Sequence, residues 1–336
     1  MNLVNEIDYS VLICTYNPDE RLFKRCLNAV NRLSMQDLVI EVIVVDNNSN
    51  IPLSSLGYIK QFLKGFPNSQ LIVVKEQGLV HARIAGISLA KGSNIIFFDD
   101  DNEPDIDYLQ ELKRLNHDHE NVAAWGPGNI AVDFIDGIDG AIEEYAKAAF
   151  QYRHEDRTTF ANIRSWQDCY PFGTGLCIKA TLLKSFNELV RKKIFSMVGR
   201  TGDSMGSGED TQIVLFCVEQ GYAAGVSPGL RLMHIIPGKR ANFGYLKRLT
   251  FGTSVCYSSV IMEVFPDKIQ EIKNEIPKRT KLMKLLLKGY YKVLVNPNQE
   301  KVLKFINLLA AIKGRYVALD LPVPTLLIWV IGKMNI

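Results

Sequence analysis

The first hundred residues alternate between short, continuous apolar runs and segments whose apolar positions recur every three or four residues. The apolar runs cover residues 9–15, 41–45, 71–74 and 95–98 and are rich in β-branched and aromatic side chains. Such runs predict buried strands. The intervening segments, up to about residue 33 and then 56–63 and 79–90, have the spacing of amphipathic helices. This alternation predicts an α/β fold with a mostly parallel sheet flanked by helices and joined by right-handed crossovers.

Polar side chains follow three of these four strands where each strand ends. Residues 15–17 follow the first strand, Asp46 ends the second, and Asp99, Asp100 and Asp101 end the fourth. The carboxyl ends of parallel strands lie along one edge of a sheet, where ligands bind in open α/β folds. We therefore expect these side chains to face a single crevice.

The three adjacent aspartates repel one another unless a positive group lies among them. A hard divalent cation, Mg²⁺ or Mn²⁺, prefers such oxygen ligands and keeps waters and substrate phosphates in its shell. In an extended segment Asp99 and Asp101 point the same way and Asp100 the other, which favours an Asp-x-Asp pair on one metal. A solvated acidic turn after a strand is the alternative.

Three further stretches in the second half of this region carry candidate chemistry. Residues 170–179 (YPFGTGLCIK) are glycine-rich, and Glu209-Asp210 precede a predicted helix over residues 211–219. His234 ends a later apolar run. Each has a structural alternative: a turn into a strand, an acid pair favoured by the helix dipole, and a hydrogen-bonded histidine.

Several common sequence motifs are missing from the 336 residues, and their absence excludes some classes of nucleotide-binding, metal-binding and secreted protein. There is neither a G-x-x-x-x-G-K-[ST] loop nor a G-x-G-x-x-G after the first strand, so a nucleotide would be held by side chains and a metal. None of the six cysteines forms a C-x-x-C pair, which predicts reduced thiols in a cytoplasmic protein. The first ten residues have no signal-peptide pattern.

The net charge of +3 is unevenly distributed. From residue 241 onward there are 15 Lys and Arg against 6 Asp and Glu, and lysines at 281, 284, 288 and 292 accompany Leu282 and Leu286. A basic amphipathic helix predicts peripheral contact with an anionic membrane; ordinary helices packed on the domain are the alternative. The aromatic and arginine interleaving of nucleic-acid-binding surfaces is absent, so we expect no nucleic-acid partner. Charge and pattern thus predict an acidic α/β body over 1–240, the candidate catalytic domain if the strand-end acids act together, and a basic helical extension over 241–336.

Four blocks, in order, resemble those of family 2 glycosyltransferases. They are VLICTYN from Val11, VIVVDNNS from Val42, QGLVHARIAG from Gln77 and FFDDDN from Phe97. The resemblance extends over about residues 8–240. It implies a GT-A fold, with a nucleotide-sugar-binding half over 8–125 and an acceptor-side half over 126–240.

The resemblance also implies a role for each matching residue. The donor-binding residues would be Thr15, Tyr16, Asn17, Asp46, Arg83, Asp99, Asp100 and Gly175. The metal ligands would be Asp99, Asp101 and His234, and Asp210 would be the catalytic base with Glu209 beside it. Two alternatives stay open: Asp46 as a turn acid that caps the next segment, and Arg83 as a structural partner of the aspartates.

The implied activity is inverting transfer of a sugar from a nucleotide-sugar, expected to be UDP-linked and Mn²⁺- or Mg²⁺-dependent. The acceptor would be a glycan or lipid-linked saccharide in surface polysaccharide or glycoconjugate synthesis, on the inner face of the plasma membrane. Two rivals remain: a nucleotidyltransferase, whose usual glycine- and lysine-rich signature is missing at residues 15–24, and a non-catalytic nucleotide-sugar- or membrane-binding module.

Overall fold

The computed structural model describes residues 6–196 and 205–336 of the chain. Its contacts divide into two compact units. The described residues of the first unit are 6–133, 151–196 and 213–235. Those of the second are 134–150, 205–212 and 236–336. The functional division near residue 240 stays a prediction.

The first unit contains a sheet of ten strands. In chain order they are β1 (Tyr9–Thr15), β2 (Ile40–Asp46), β3 (Ser69–Val73), β4 (Asn94–Asp99), β5 (Asn102–Pro104), β6 (Val122–Phe134), β7 (Arg153–His154), β8 (Thr159–Ala161), β9 (Cys177–Lys179) and β10 (Ala223–Ile236). The main strand order is β3-β2-β1-β4-β9-β6-β10-β5. The first four strands are parallel, as predicted, and β9, β5, β7 and β8 join antiparallel.

Helices follow the strands of the first unit. They are α1 (Glu20–Asn31), α2 (Gly57–Lys64), α3 (Leu79–Leu89), α4 (Tyr108–Asp118) and, after β9, α6 (Ala180–Arg191), while α5 (Glu143–Ala149) belongs to the second unit. The first three were predicted from the sequence, whereas α4 and α6 were not. Asp19 caps α1 by accepting a hydrogen bond from the backbone N–H of Arg21. The α/β architecture is therefore confirmed.

The continuous apolar run of β1 is explained by burial on both faces. Val11 and Ile13 lie in the core cluster that includes residues of α1, α2 and α4. On the opposite face, a Cβ added at Gly86 of α3 would stand 2.2 Å from the Cδ1 of Leu12. A strand buried on both faces is mostly apolar, and Ser10, the polar residue near the start of β1, is buried and donates a hydrogen bond to Glu41 of β2 at 2.5 Å. The next polar position, Thr15, is at the carboxyl edge.

Helix α7 (Glu209–Glu219) begins in the second unit, which also contains α5 and the helices after β10. These are α8 (Phe243–Val264), α9 (Ile269–Glu275), α10 (Arg279–Val295), α11 (Gln299–Ala318) and α12 (Thr325–Lys333). Apolar residues of α10, α11 and α12 form a second core, distinct from that of the sheet. The predicted helical extension is thus present. Among the described residues, no helix is both long and apolar enough to cross a bilayer.

Candidate functional site

The strand register brings the polar strand ends together. Thr15 of β1 pairs with Asp46 of β2, and Cys14 pairs with Asp99 of β4. The Thr15 hydroxyl donates a hydrogen bond to a carboxylate oxygen of Asp100. We call the group Thr15, Tyr16, Asp46, Asp99, Asp100 and Asp101 the strand-end site. The predicted convergence of the strands on one edge is confirmed.

Both carboxylate oxygens of Asp46 accept backbone hydrogen bonds. Oδ1 lies 2.8 Å from the N–H nitrogen of Ser49, and Oδ2 lies 3.0 Å from that of Leu53. The side chain is buried at 1 % exposure. These contacts are those of the turn-capping alternative; a carboxylate has further lone pairs, so a base contact stays a prediction.

Two residues to which the sequence gave no role organise the loops beside Asp46. The side-chain amide of Asn47 donates to the carbonyl of Glu76, at 2.7 Å, and its oxygen accepts the N–H of Gly78, also at 2.7 Å. The Ser49 hydroxyl accepts the backbone N–H of Asn17 at 2.9 Å. Asn17 has a φ of 47°, a left-handed conformation that asparagine tolerates. In the sequence, the feature that could have pointed to Asn47 and Ser49 is their place in the polar run directly after β2.

Tyr16 is the exposed member of the strand-end site, with 48 % of its surface accessible. Its hydroxyl lies 3.2 Å from the side-chain nitrogen of Gln77. Tyr16 therefore has an exposed aromatic ring beside buried polar groups. A planar ring of a ligand could stack on it.

Arg83 on α3 is almost fully buried and lies against the strand-end site. Its Nη2 is 3.7 Å from Oδ1 of Asp99, and its guanidinium carbon is 5.0 Å from the centre of the Phe97 ring. A guanidinium keeps its charge at all accessible pH values, so its burial requires such a partner. The structure brings Arg83 to the aspartates, as the structural alternative proposed.

Asp101 and His234 form a buried pair at the edge of β5 and β10. His234 pairs with Asn102 across the two strands, and its Nε2 lies 3.4 Å from Oδ2 of Asp101. Asn102 donates to the other carboxylate oxygen at 2.9 Å, and Ile235 donates its N–H to the Asp101 carbonyl at 2.8 Å. Two ligands at right angles on an octahedral cation stand about 3.0 Å apart when each bond is about 2.1 Å. The 3.4 Å contact is close to that spacing, but it is also the contact of a directly paired imidazole and carboxylate, so the role of Asp101 and His234 as metal ligands stays a prediction.

Asp99 and Asp101 do not extend from one strand face as the sequence suggested. Strand β4 ends at Asp99, and Asp100 and Asp101 lie in the turn that follows. The three carboxylates consequently approach Arg83, Thr15 and His234 respectively. Across residues 6–196 and 205–336, no three His, Cys, Asp or Glu side chains are grouped closely enough to hold a metal ion. A cation here would take its remaining ligands from water and phosphate.

Gly175 is fixed by packing and by its backbone conformation. Its φ is +71°, and an added Cβ would stand 2.6 Å from Cδ2 of Leu232 and 2.7 Å from the Tyr108 hydroxyl. That hydroxyl donates to the Gly175 carbonyl at 2.5 Å. The predicted contact of Gly175 with a transferred sugar stays untested, because these neighbours alone require glycine.

Glu209 and Asp210 begin α7 in the second unit. Glu209 is buried and accepts the N–H of Gly208 at 3.1 Å, whereas Asp210 is partly exposed and accepts the N–H of Thr211 at 2.8 Å. One turn further, the Gln212 amide donates to Glu263 of α8 at 2.5 Å. Negative charge at a helix N-terminus is favourable, so the pair needs no ligand to be stable.

A family model described as Glycosyl transferase family 2 matches residues 10–173. Glycosyltransferase AglE of Haloferax volcanii is 26% identical over 216 residues, which are 64% of this chain and 62% of that protein. The inactive polypeptide N-acetylgalactosaminyltransferase-like protein 5 of Mus musculus is 25% identical over 217 residues, 61% of this chain and 48% of that one. The chain thus spans less than two thirds of each relative. A crystal structure of S. aureus TarS in complex with UDP aligns at 13% identity and a TM-score of 0.44, covering 94% of this chain and 91% of that one.

Proposed function

We propose that the chain is an inverting glycosyltransferase, and the support is the family model described as Glycosyl transferase family 2 that matches residues 10–173. It would transfer a sugar from a nucleotide-sugar donor, expected to be UDP-linked, to a hydroxyl of a glycan or lipid-linked saccharide. Such an acceptor suits a role in surface polysaccharide or glycoconjugate synthesis.

One observation carries the proposal: the carboxyl ends of β1, β2 and β4 form a single edge of buried and half-buried polar groups. The site has an exposed ring at Tyr16 for a nucleobase and carboxylates deeper along the same edge. We propose that Thr15, Tyr16 and Asp46 line the base and ribose pocket. Asn17 and Gln77 hold Tyr16 and its loop in place.

We propose that Asp101 and His234 hold the divalent cation, Mn²⁺ or Mg²⁺, with water and phosphate as its remaining direct ligands. Asp99, the third predicted ligand, would contact the cation through water. Support comes from the 3.4 Å separation of Asp101 and His234 and from the oxygen- and nitrogen-donor set. A bound cation would stabilise the negative charge that develops on the departing diphosphate. Arg83 would hold Asp99 in position and add positive charge beside the phosphates.

Asp210 is our proposed base. Inversion requires one carboxylate to remove the proton from the acceptor hydroxyl as that oxygen attacks the anomeric carbon from the side opposite the leaving diphosphate. Asp210 is partly exposed and is held at its own helix terminus, whereas Glu209 is buried. Glu209 would orient the segment through its bond to the Gly208 N–H.

The proposal is tested by incubating the full chain with UDP-, GDP- and dTDP-sugars and Mn²⁺ and measuring the nucleoside diphosphate released. Transfer to water or to added saccharide acceptors should release one diphosphate selectively, and Asp210→Asn should stop release while donor binding persists. Asp139→Asn, an exposed carboxylate in another loop, is the matched control. Binding of a nucleotide-sugar without any release from the wild-type chain would favour the non-catalytic module instead.

We also propose that the chain acts at the inner face of the plasma membrane. The support is the excess of positive charge after residue 240 together with a lipid-linked acceptor class. The proposal concerns location only and does not affect the assignment of the donor site.

A further inference from the structure

Helix α10 has a wide apolar side, of which only one part is packed against the other helices. The leucines that the sequence placed on a membrane-facing side, Leu282 and Leu286, are instead buried in the helical core. A second stripe, Met283, Leu287, Tyr291 and Leu294, remains between 47% and 65% exposed. At 100° per residue these four positions lie within about 80° of one another around the helix. The exposed stripe is thus a continuous surface distinct from the packed face.

Helix α12 continues this surface. The rings of Tyr290 on α10 and Trp329 on α12 meet edge to face, with their centres 5.4 Å apart. Ile328 and Trp329 are themselves about half exposed, at 54% and 47%. We call the exposed residues Met283, Leu287, Tyr291, Leu294, Ile328 and Trp329 the α10–α12 patch. Exposed apolar surface of this extent on a folded chain usually marks a site of interaction.

Positive charge borders the α10–α12 patch. Lys281, Lys284, Lys288 and Lys292 follow the strip of α10 next to the exposed stripe, and all four are solvent-exposed. No Asp or Glu occurs between residues 276 and 298. Within the described residues none of the four lysines makes an ion pair, and Lys333 lies 5.7 Å from the centre of the Trp329 ring.

The geometry points to insertion of the α10–α12 patch into the interface of an anionic lipid bilayer. The aliphatic side chains and Trp329 enter the boundary between headgroups and acyl chains, where tryptophan is favoured, and the lysines meet the headgroup phosphates. The helices lie on the bilayer; they do not cross it. These residues would make the same contact with lipid whichever donor the chain uses and whichever reaction it catalyses.

A second copy of the chain fits the same face less well. Two copies related by a two-fold axis would bring the same lysine strip from each copy into one interface, and like charges at close range oppose association. An anionic bilayer complements the charge and the apolar stripe together.

The test is co-sedimentation of the full chain with vesicles, without nucleotide, metal or sugar. The chain should pellet with vesicles of equimolar phosphatidylcholine and phosphatidylglycerol and stay in solution with phosphatidylcholine alone. High salt should weaken binding, because the screening length falls to about 3 Å at 1 M ionic strength.

Two variants separate the apolar and basic contributions. The triple change Lys284→Gln, Lys288→Gln and Lys292→Gln should lower the partition coefficient about tenfold or more, since each lysine near an anionic surface contributes roughly fivefold. Leu287→Ser with Tyr291→Ser should lower it similarly. The controls are exposed residues of the first unit: Lys60→Gln, Lys91→Gln and Lys184→Gln for charge, and Leu89→Ser with Ile194→Ser for apolar surface.

Trp329 provides a second readout, because Trp125 is buried and Trp329 is the most exposed of the three tryptophans. Its fluorescence should shift to the blue on anionic vesicles and be quenched by brominated acyl chains, and Trp329→Phe should remove the shift.

Three results would overturn the inference. One is no pelleting with anionic vesicles; another is pelleting that the patch variants leave unchanged. The third is a wild-type dimer that Leu287→Ser with Tyr291→Ser converts to monomer without any vesicle binding, which would make a second copy the occupant. Circular dichroism verifies that each variant is folded. None of these results bears on sugar transfer, which is assayed in solution.

Discussion

The Nε2 of His234 lies 3.4 Å from Oδ2 of Asp101, and both side chains are almost completely buried. The pair depends on the antiparallel register of β5 with β10, which sets His234 opposite Asn102. Asn102 and Ile235 supply further hydrogen bonds to Asp101. His234 and Asn102 thus contact the buried carboxylate, while Ile235 holds the backbone of the same residue, and together they fix the position of the Asp101 side chain.

Asp101→Asn and His234→Gln should each weaken Mn²⁺ binding in the presence of UDP by about tenfold or more, because each removes a proposed ligand. Electron paramagnetic resonance of free Mn²⁺ measures the affinity. Asp105→Asn is the matched control, since Asp105 is a nearby acid whose partner is Arg231. Wild-type Mn²⁺ affinity in both variants would remove the pair from the metal site.

Asp46→Asn should destabilise the chain by about 1–3 kcal/mol, because an amide nitrogen would face one of the two backbone N–H groups that Asp46 now accepts. Urea denaturation measures the loss. If Asp46 also contacts the base, UDP affinity of the folded variant should fall in addition. Unchanged stability would contradict the turn-capping contacts.

Gly175→Ala and Gly221→Ala separate backbone strain from crowding. Both glycines have positive φ, +71° and +88°, but an added Cβ would contact Leu232 and Tyr108 at Gly175 and nothing within 4 Å at Gly221. Gly221→Ala should cost about 1–2 kcal/mol of strain, and Gly175→Ala should cost about 1–3 kcal/mol more from overpacking. Equal losses in urea denaturation would refute the close packing at Gly175.

Glu111 of α4 should contribute stability that depends on pH. Burial alone would raise its pKa, but hydrogen bonds from Arg114 and Ser227 outweigh burial and lower the pKa of Glu111. A carboxyl whose pKa is lowered by folding stabilises the chain above its unfolded pKa, and that contribution is lost as pH falls through the folded value.

The free energy of unfolding of wild type minus that of Glu111→Gln should therefore be larger at neutral pH than below the ordinary glutamate pKa of about 4.3. Glu120→Gln, at an exposed glutamate, controls for the loss of charge. A difference that does not change with pH would show that the hydrogen bonds to Glu111 do not favour its ionised form.

Local pattern was sufficient to predict the strand ends. The runs of β1, β2 and β4 are buried on both faces, so from its third residue onward each is apolar until it reaches the carboxyl edge, and the next polar residue marks that edge. Thr15, Asp46 and Asp99 could for this reason be assigned to one edge without coordinates.

Long-range pairing and the choice between helix faces could not be predicted in the same way. The partner of Asp101 depends on the β5–β10 register, and the alternation assumed for Asp99 and Asp101 required a strand that in fact ends at Asp99. On α10 the sequence offered two apolar stripes, and only packing against α11 and α12 determines that Leu282 and Leu286 are the buried ones.

The most direct measurement is calorimetric titration of the chain with UDP, GDP and dTDP, each with Mn²⁺ and again with a chelator. The proposed donor site predicts saturable binding of one nucleotide, expected to be UDP, that disappears when the metal is removed. A folded chain that binds none of the three with Mn²⁺ present would contradict the donor site at the ends of β1, β2 and β4.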